Sequence, residues 1–238
     1  MDYIQGFLTP VRTDKKQAYH DVSASMAPLL AEYGATGIVE NWGVEVADGK
    51  RTDMKRAVNL EDGETVAFSW VRWPDRKTCD AAAAKLMADD RLKMPDDMPF
   101  DGKRMIYGGF EAVVETGKGG AIGYVDGFVA AVPDGKRAAF AEHAKMMADL
   151  FVESGALRVV DGWGVDVPEG KVTDLRRAVD AQPGETVAFG WVEWPDKPTR
   201  DAGMGKVMEA PSMQGNPPPW NGPTAIFGGF MPVFDSNH

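Results

Sequence analysis

Apolar residues alternate with polar ones in some segments of the chain and recur at helical spacing in others. In Glu64–Trp73 both alternating faces are largely apolar, which is typical of a strand covered on both sides. Between Asp14 and Tyr33 apolar residues recur every three or four positions, which predicts an amphipathic helix. Pro74-Asp75 is predicted to open a second helix. The predicted strands of the first half are Tyr3–Val11, Ile38–Val46, Glu64–Trp73 and Met105–Glu115.

This pattern occurs twice. Residues 32–81 align with residues 153–202 at a constant shift of 121, without a gap and with 29 of 50 positions identical. The register extends upstream, where Tyr124 corresponds to Tyr3. A repeat of this length is a whole folding unit rather than one repeat of a solenoid. The chain therefore consists of two like halves.

Each half is predicted to fold as strand–helix–strand–strand–helix–strand, the ferredoxin-like plan. Such a unit carries both helices on one face of an antiparallel sheet, so the other face needs cover. We predict an α+β protein in which the sheets of two ferredoxin-like repeats pack face to face as an intramolecular pseudo-dimeric α/β barrel. The predicted divisions are 1–117 for the first repeat, 118–122 for a Gly-rich linker and 123–238 for the second repeat. In the long connection after the second strand, Met54–Val58 is predicted to add a short strand.

Charge and composition narrow the range of functions. The net charge of −10 and the scattered basic residues argue against nucleic-acid binding, which needs clustered Lys and Arg. No stretch approaches the ~20 apolar residues of a membrane span, and the N-terminus does not resemble a signal peptide. Cys79 is the single cysteine, so an internal disulfide is excluded and a cytoplasmic location is expected. The three histidines lack metal-ligand spacing, and neither a metal nor another cofactor is expected.

Two segments resemble a known family. The stretches PFDGKRMIYGGFE (99–111) and WGVEVADGKRTDMKRAV (42–58) are similar to the small YbaA-like bacterial proteins, a family of unknown function. The resemblance implies a ferredoxin-like member of the dimeric α/β-barrel superfamily, present here as a fused pair. That superfamily includes cofactor-free monooxygenases, haem-degrading and dismutating enzymes and plain binding proteins, so the resemblance implies a fold rather than a reaction. The second half departs from the pattern, because Lys103, Arg104, Tyr107 and Glu111 are replaced by Pro223, Thr224, Phe227 and Met231.

Glu40 is the leading candidate for acid–base chemistry. Strand alternation places it on an otherwise apolar face, and Asp161 repeats the arrangement in the second half. Burial raises the pKa of an unpaired carboxyl group, which is how a general base near neutral pH is made. The competing interpretation is a structural ion pair between Glu40 and Arg56 or Arg104.

A repeated T-D-x-x-R sequence supplies a second candidate. It places Asp53 near Arg56 in the first half and Asp174 near Arg177 in the second. The guanidinium groups could bind a ligand carboxylate at a pocket mouth. Alternatively, these residues fasten a long hairpin by bonding its turn amides and pairing across a seam.

The remaining candidates for ligand binding or catalysis are tryptophans and a basic cluster that only the first half contains. Aromatic rings could line a flat cavity for an aromatic ligand or simply fill the core; they are Trp42, Trp70, Trp163 and Trp191. Lys103, Arg104 and Tyr107 have no counterparts in the second half. They could bind an anion or stabilise an enolate-type charge, or they could be solvated at the rim and pair with Glu40 or Asp101.

Three functions remain open at this point. The first is a small-molecule-binding barrel, acting as a sensor, carrier or stress-related protein, with a pocket lined by Trp42, Trp70 and Tyr107. The second is a cofactor-independent oxygenase or isomerase that uses Glu40 as base and Arg104 or Tyr107 to hold negative charge. The third is a structural or interaction module with a filled core. We favour the first, with a small molecule as the expected partner rather than nucleic acid or a membrane.

Overall fold

Each half contains the predicted strands and helices in the predicted order, together with an additional short helix. The computed structural model describes residues 2–92, 95–213 and 215–237. The first half contains β1 Tyr3–Arg12, α1 Lys16–Glu32, β2 Gly37–Glu45, α2 Met54–Ala57, β3 Glu64–Trp73, α3 Arg76–Met87 and β4 Ile106–Gly117. The second half contains β5 Tyr124–Pro133, α4 Arg137–Glu153, β6 Arg158–Asp166, α5 Leu175–Ala178, β7 Glu185–Trp194, α6 Lys197–Glu209 and β8 Ile226–Asp235.

The segment predicted as a short strand at Met54–Val58 is instead the helical turn α2, so that prediction was wrong. Asp53 begins the helix, because its carboxylate accepts the backbone N–H of Arg56 at 2.7 Å. Met54 and Ala57 are both buried in the same core cluster. A strand would turn these two residues to opposite sides, whereas a helix turns them to one side.

The strands of the described residues form one closed barrel in the order β1-β3-β2-β8-β5-β7-β6-β4. Neighbouring strands pair antiparallel within each half. The halves are joined along two further antiparallel seams, β2 with β8 and β4 with β6. The predicted α+β fold with an intramolecular pseudo-dimeric barrel is therefore confirmed. The two sheets are hydrogen-bonded at both edges rather than only stacked.

Side chains from both halves fill the barrel interior. Phe68 and Phe189 stack with ring centroids 4.5 Å apart, and Trp70 and Trp191 stack in the same way. All four are at most 1% exposed. They come from alternating positions of β3 and β7, on one of the two strand faces that the sequence predicts to be buried.

The other face of each sheet packs against helices. In the first half Trp73 lies in a core cluster with Leu30 of α1 and Cys79 of α3. In the second half Trp194 lies in a cluster with Ala144 of α4. No helix in the described part of the chain is both long and apolar enough to cross a membrane. Residues 118–122 connect β4 to β5, and we propose the division between the repeats there.

Candidate ligand-binding site

Glu40 lies on the helix-covered face of β2, where two hydroxyl groups hold it. The hydroxyls of Tyr19 on α1 and Ser69 on β3 both donate to Glu40 Oε2. Burial raises the pKa of Glu40, and the hydrogen bonds from Ser69 and Tyr19 oppose that rise. Among the described residues Glu40 pairs with neither Arg56 nor Arg104, so the ion pair expected from the sequence was wrong. Glu40 is directed toward α1, while both arginines bind other acids.

Asp161 occupies the position of β6 that is equivalent to Glu40, but both partners have been lost. Phe140 replaces the tyrosine of α1, and Gly190 replaces the serine of β3. Asp161 is 5% exposed, and within the described residues no hydrogen bond reaches its carboxyl group. Burial alone raises the pKa of Asp161 to about 7. The second half therefore contains a buried carboxyl group without a partner.

Asp161 lines a cavity of about 450 Å³ between the outer face of the second-half sheet and helices α4 and α6. A Cβ atom at Gly190 would lie 2.6 Å from Asp161 Oδ1, so a side chain there would take up space next to the carboxyl group. A cavity of this size suits a small organic molecule. Its walls are mainly aromatic and thioether side chains, among them Phe128, Met147, Phe151, Met204, Trp220 and Phe227.

His143 is a second polar group in the cavity. It lies on α4, at the position where the first half has Val22. Its Nδ1 is buried and has no hydrogen-bond partner among the described residues. Trp220 packs edge-on against the ring at 5.2 Å, and burial lowers the pKa of His143. The sequence gives this histidine no metal-ligand spacing, but its replacement of a valine on an apolar stripe marks the position.

Charged side chains at the cavity rim are paired. Arg200 donates to both oxygens of Asp126, at 2.6 Å from Nη2 to Oδ1 and 2.9 Å from Nε to Oδ2. Trp194 Nε1 donates to the same carboxylate at 2.9 Å. Glu45 Oε2 accepts the hydroxyl of Tyr124 at 2.6 Å. The rim carboxylates of Asp126 and Glu45 thus have hydrogen-bond donors, whereas the buried carboxyl group of Asp161 has none among the described residues.

The basic pair that precedes β4 does not reach Glu40. Arg104 donates to both oxygens of Glu64 at 2.7 Å and to Asp101 Oδ2 at 2.8 Å. The expected pairing with Asp101 is therefore present and the one with Glu40 is absent, because Glu64 at the start of β3 holds the guanidinium group. Lys103 is exposed beside this cluster.

Tyr107, Trp42 and Trp70 do not form the pocket expected from the sequence. Tyr107 is 44% exposed and stacks on Phe7 with centroids 6.0 Å apart. Trp42 packs beside Tyr19 on the helix-covered face. Trp70 lies inside the barrel, because alternation along β3 turns it to the opposite face of the sheet.

The second-half tryptophans also have different positions. Trp163 packs on Phe140 with centroids 5.7 Å apart and lies under the guanidinium of Arg137. Trp191 belongs to the interior core but also lines the cavity. Two of the ligand-binding residues predicted from the sequence, Asp161 and Trp191, thus come together there.

Asp53 and Asp174 begin helices α2 and α5 and are not among the cavity residues. Each carboxylate accepts two backbone N–H groups of its own turn. Arg56 lies 3.3 Å from Asp53 and Arg177 lies 3.2 Å from Asp174, and both arginines also donate to carbonyl groups of the turn. These contacts fasten the connection, as the structural interpretation of the repeated sequence expects.

A second cavity, of about 440 Å³, is lined by charged residues at one end of the barrel. Its arginines are paired, since Arg72 donates to both oxygens of Glu115 and Arg158 Nη2 donates to the buried Glu193 at 2.8 Å. Because both arginines are paired internally, we place the candidate site at Asp161. Among the described residues there is also no group of three or more His, Cys, Asp or Glu side chains that could hold a metal ion.

Sequence comparison relates both halves to one family. A family model described as "Protein of unknown function (DUF1428)" matches residues 2–102 and again residues 123–222. The uncharacterized protein YbaA of Escherichia coli strain K12 is 50% identical over 116 residues, which cover 48% of this chain and 99% of YbaA. YbaA of Shigella flexneri gives the same figures. The YbaA-like resemblance and the tandem repeat are thus confirmed.

Solved structures share the fold over the whole chain. A candidate monooxygenase of Lactobacillus acidophilus aligns with a TM-score of 0.60 and 12% identity, covering 98% of this chain and 95% of that one. A candidate monooxygenase of Fusobacterium nucleatum gives 0.61 and 11%, covering 98% and 93%. An anthrone oxidase-like protein gives 0.56 and 14%, covering 98% and 92%. At these identities the likeness is one of fold.

Proposed function

The chain belongs to the DUF1428 family of proteins of unknown function, and we propose that it binds a small, largely apolar molecule in the cavity that Asp161 lines. The observation that carries the proposal is the buried carboxyl group without a hydrogen-bond partner. Asp161 borders the cavity, so a ligand that carries a hydrogen-bond donor can pair with its carboxyl group there. A protein of this kind would act as a sensor or carrier.

The first half supports this assignment by contrast. There the equivalent carboxyl group of Glu40 is held by Tyr19 and Ser69, so it needs no further donor. The second half has lost both hydroxyls and has gained His143 on the neighbouring helix. These changes concentrate free polar groups in one repeat, as expected if one repeat keeps structural contacts and the other binds a ligand.

A catalytic role centred on Glu40 has less support. Its Oε2 already accepts two hydroxyl donors, and Arg104 is bound by Glu64 and Asp101. The monooxygenase names of two structural neighbours accompany identities of 11% and 12%, which support a shared fold and not a shared reaction. Binding in the second half is therefore the function that we propose.

A cavity-filling variant tests the proposal, and the repeat offers a matched control. Met147 lines the cavity, and Met26 is its equivalent on α1 of the first half. The ligand probe is N-phenyl-1-naphthylamine, an uncharged aromatic compound whose fluorescence rises in apolar surroundings. We expect saturable binding to the wild type, a loss of at least about ten-fold in affinity for Met147→Trp, and unchanged affinity for Met26→Trp.

Two results would contradict the proposal. One is a fluorescence signal that does not saturate with the wild type. The other is an equal loss of affinity in both variants, since this would place the probe elsewhere or reflect general destabilisation. Thermal unfolding of both variants shows whether each remains folded under the assay conditions.

A further inference from the structure

Acidic groups outnumber basic groups around the cavity once the ion pairs are counted. Arg200 is bound to Asp126 through two hydrogen bonds. Glu45 accepts the Tyr124 hydroxyl and lies 3.2 Å from the ammonium group of Lys197. Both cations also pair with Asp201, so the rim pairs hold two cations and three acids. The buried carboxyl group of Asp161 adds an acid that no described cation neutralises.

The excess of acidic groups disfavours an anionic ligand and favours a cationic one. A carboxylate or phosphate ligand would face the acid of Asp161, and the one arginine among the cavity residues already binds Asp126. An ammonium group would instead find an acceptor without a competitor. A charge-assisted hydrogen bond between such groups is roughly twice as strong as one between neutral groups.

The walls suit the rest of such a ligand. Ring faces attract cations, more strongly where water is excluded, and methionine side chains adapt to irregular apolar shapes. The cavity is lined by both kinds of side chain, namely Phe128, Phe151, Trp220, Phe227, Met147 and Met204.

We infer that the molecule bound next to Asp161 is an organic cation, an amine carried on an aromatic or aliphatic body. This inference rests on the proposed function, because it assigns the chemical class of the ligand in the same cavity. The amine nitrogen donates to the Asp161 carboxylate, and the body of the ligand lies against the aromatic walls. Glu40 takes no part, since its hydrogen bonds come from the first half.

Titration of the site follows from the groups that line it. These groups are Glu45 from β2, Tyr124 and Asp126 from β5, His143 from α4 and Arg200 from α6. The hydrogen bond with Tyr124 lowers the pKa of Glu45, Tyr124 and Arg200 have raised pKa values, and burial lowers the pKa of His143. Asp161 is thus the cavity acid whose protonation changes near pH 7. A bound amine must displace that proton, so affinity should rise roughly thirty-fold from about pH 5.5 to about pH 8.

Three indoles that differ in one group test the inference. Tryptamine carries an ammonium group, tryptophol carries a hydroxyl group in its place, and indole-3-propionate carries a carboxylate. At about pH 8 tryptamine is still protonated, because simple amines titrate near about 10. By isothermal titration calorimetry we expect tryptamine to bind at least about ten-fold more tightly than tryptophol, and indole-3-propionate to bind most weakly.

Equivalent substitutions at Asp161 and Glu40 show which carboxyl group binds the amine. We expect Asp161→Asn to remove the preference for tryptamine over tryptophol and to remove the dependence of tryptamine affinity on pH. Glu40→Gln, the equivalent change in the first half, should alter none of these values. Equal loss of tryptamine affinity in both variants would overturn the inference.

Failure of the inference and failure of the proposed function are distinguishable. Binding of the naphthylamine with no preference among the indoles overturns the cation assignment and leaves small-molecule binding in place. No binding of the naphthylamine or of any indole overturns both.

Discussion

Trp70 and Trp191 occupy equivalent positions of the two repeats and stack on each other inside the barrel, with ring centroids 4.2 Å apart. Phe68 and Phe189, two residues earlier, do the same at 4.5 Å. The pseudo-two-fold axis that relates the halves therefore passes through a filled core. The candidate ligand cavity lies instead on the outer face of the sheet, under the helices of the second half.

The shared core leads to a prediction about stability. We expect Phe68→Ala to lower the free energy of unfolding by about 3–5 kcal/mol, because the side chain is fully buried against rings of the other half. Urea unfolding followed by tryptophan fluorescence and by circular dichroism should show one transition, since the halves share the interior core and two hydrogen-bonded seams. Met87→Ala, at a side chain that is 91% exposed, should change stability by less than about 0.5 kcal/mol. Two separate transitions would show that the halves unfold independently.

Substitution of Asp53 and Asp174, which cap α2 and α5, tests whether these residues stabilise the fold or bind a ligand. Asp53 and Asp174 each accept two backbone N–H groups, so we expect Asp53→Ala and Asp174→Ala to cost about 1–2 kcal/mol each. Both residues lie outside the cavity, so affinity for N-phenyl-1-naphthylamine should not change. If either variant lost the probe and kept its stability, the ligand-binding interpretation of the T-D-x-x-R sequence would be restored.

Much of the fold could be predicted from the sequence because the repeat and the strand faces are both periodic. The alternation in Glu64–Trp73 places Phe68 and Ser69 on opposite faces, as observed, but it does not show which face lies under the helices. The helical turn α2 was missed because four residues are too few to show a helical period. The available signal was Asp53, since Asp is a preferred residue at the start of a helix.

The site was harder to predict because periodicity gives the face of a side chain and not its partner. Burial of Glu40 and Asp161 was expected, but the donors to Glu40 lie on a helix and a strand whose docking the sequence does not specify. The difference between the halves was nevertheless readable. When the halves are aligned at a shift of 121, Phe140 stands at the position of Tyr19 and Gly190 at the position of Ser69. The alignment thus shows that Asp161 lacks the two donors that Glu40 has.

Restoring the first-half arrangement in the second half should close the site. We expect the double variant Asp161→Glu with Phe140→Tyr to give the carboxyl group a tyrosine donor, as Glu40 has in the first half. A hydrogen bond to the charged form lowers the pKa of a carboxyl group, and it also competes with the ligand. Calorimetry should show tryptamine affinity reduced by at least about ten-fold. Unchanged affinity would mean that the lost donors do not matter for binding.

The buried acid also makes stability depend on pH in a defined direction. The pKa of Asp161 is raised to about 7 in the folded protein, whereas an exposed Asp titrates near about 4. The folded state therefore binds the proton more tightly than the unfolded state. This contribution to stability is complete below about pH 4 and is lost as the pH rises through about 7.

Asp161→Asn removes that dependence. We expect equal free energies of unfolding for the variant and the wild type at about pH 4, and a more stable variant, by up to about 4 kcal/mol, at about pH 8. His143, whose pKa is lowered by burial, acts in the opposite direction in both proteins and cancels from the difference. Urea unfolding across this range measures the difference, and a constant value from pH 4 to 8 would show that Asp161 is not perturbed.

The most direct measurement is a crystal structure of the protein soaked with tryptamine. We expect ligand density in the second-half cavity, with the amine nitrogen within hydrogen-bonding distance of an Asp161 oxygen and the indole against the aromatic walls. We expect no ligand next to Glu40. Density beside Glu40, or an indole bound in the second-half cavity with its amine turned away from Asp161, would contradict the proposed binding of the amine to Asp161.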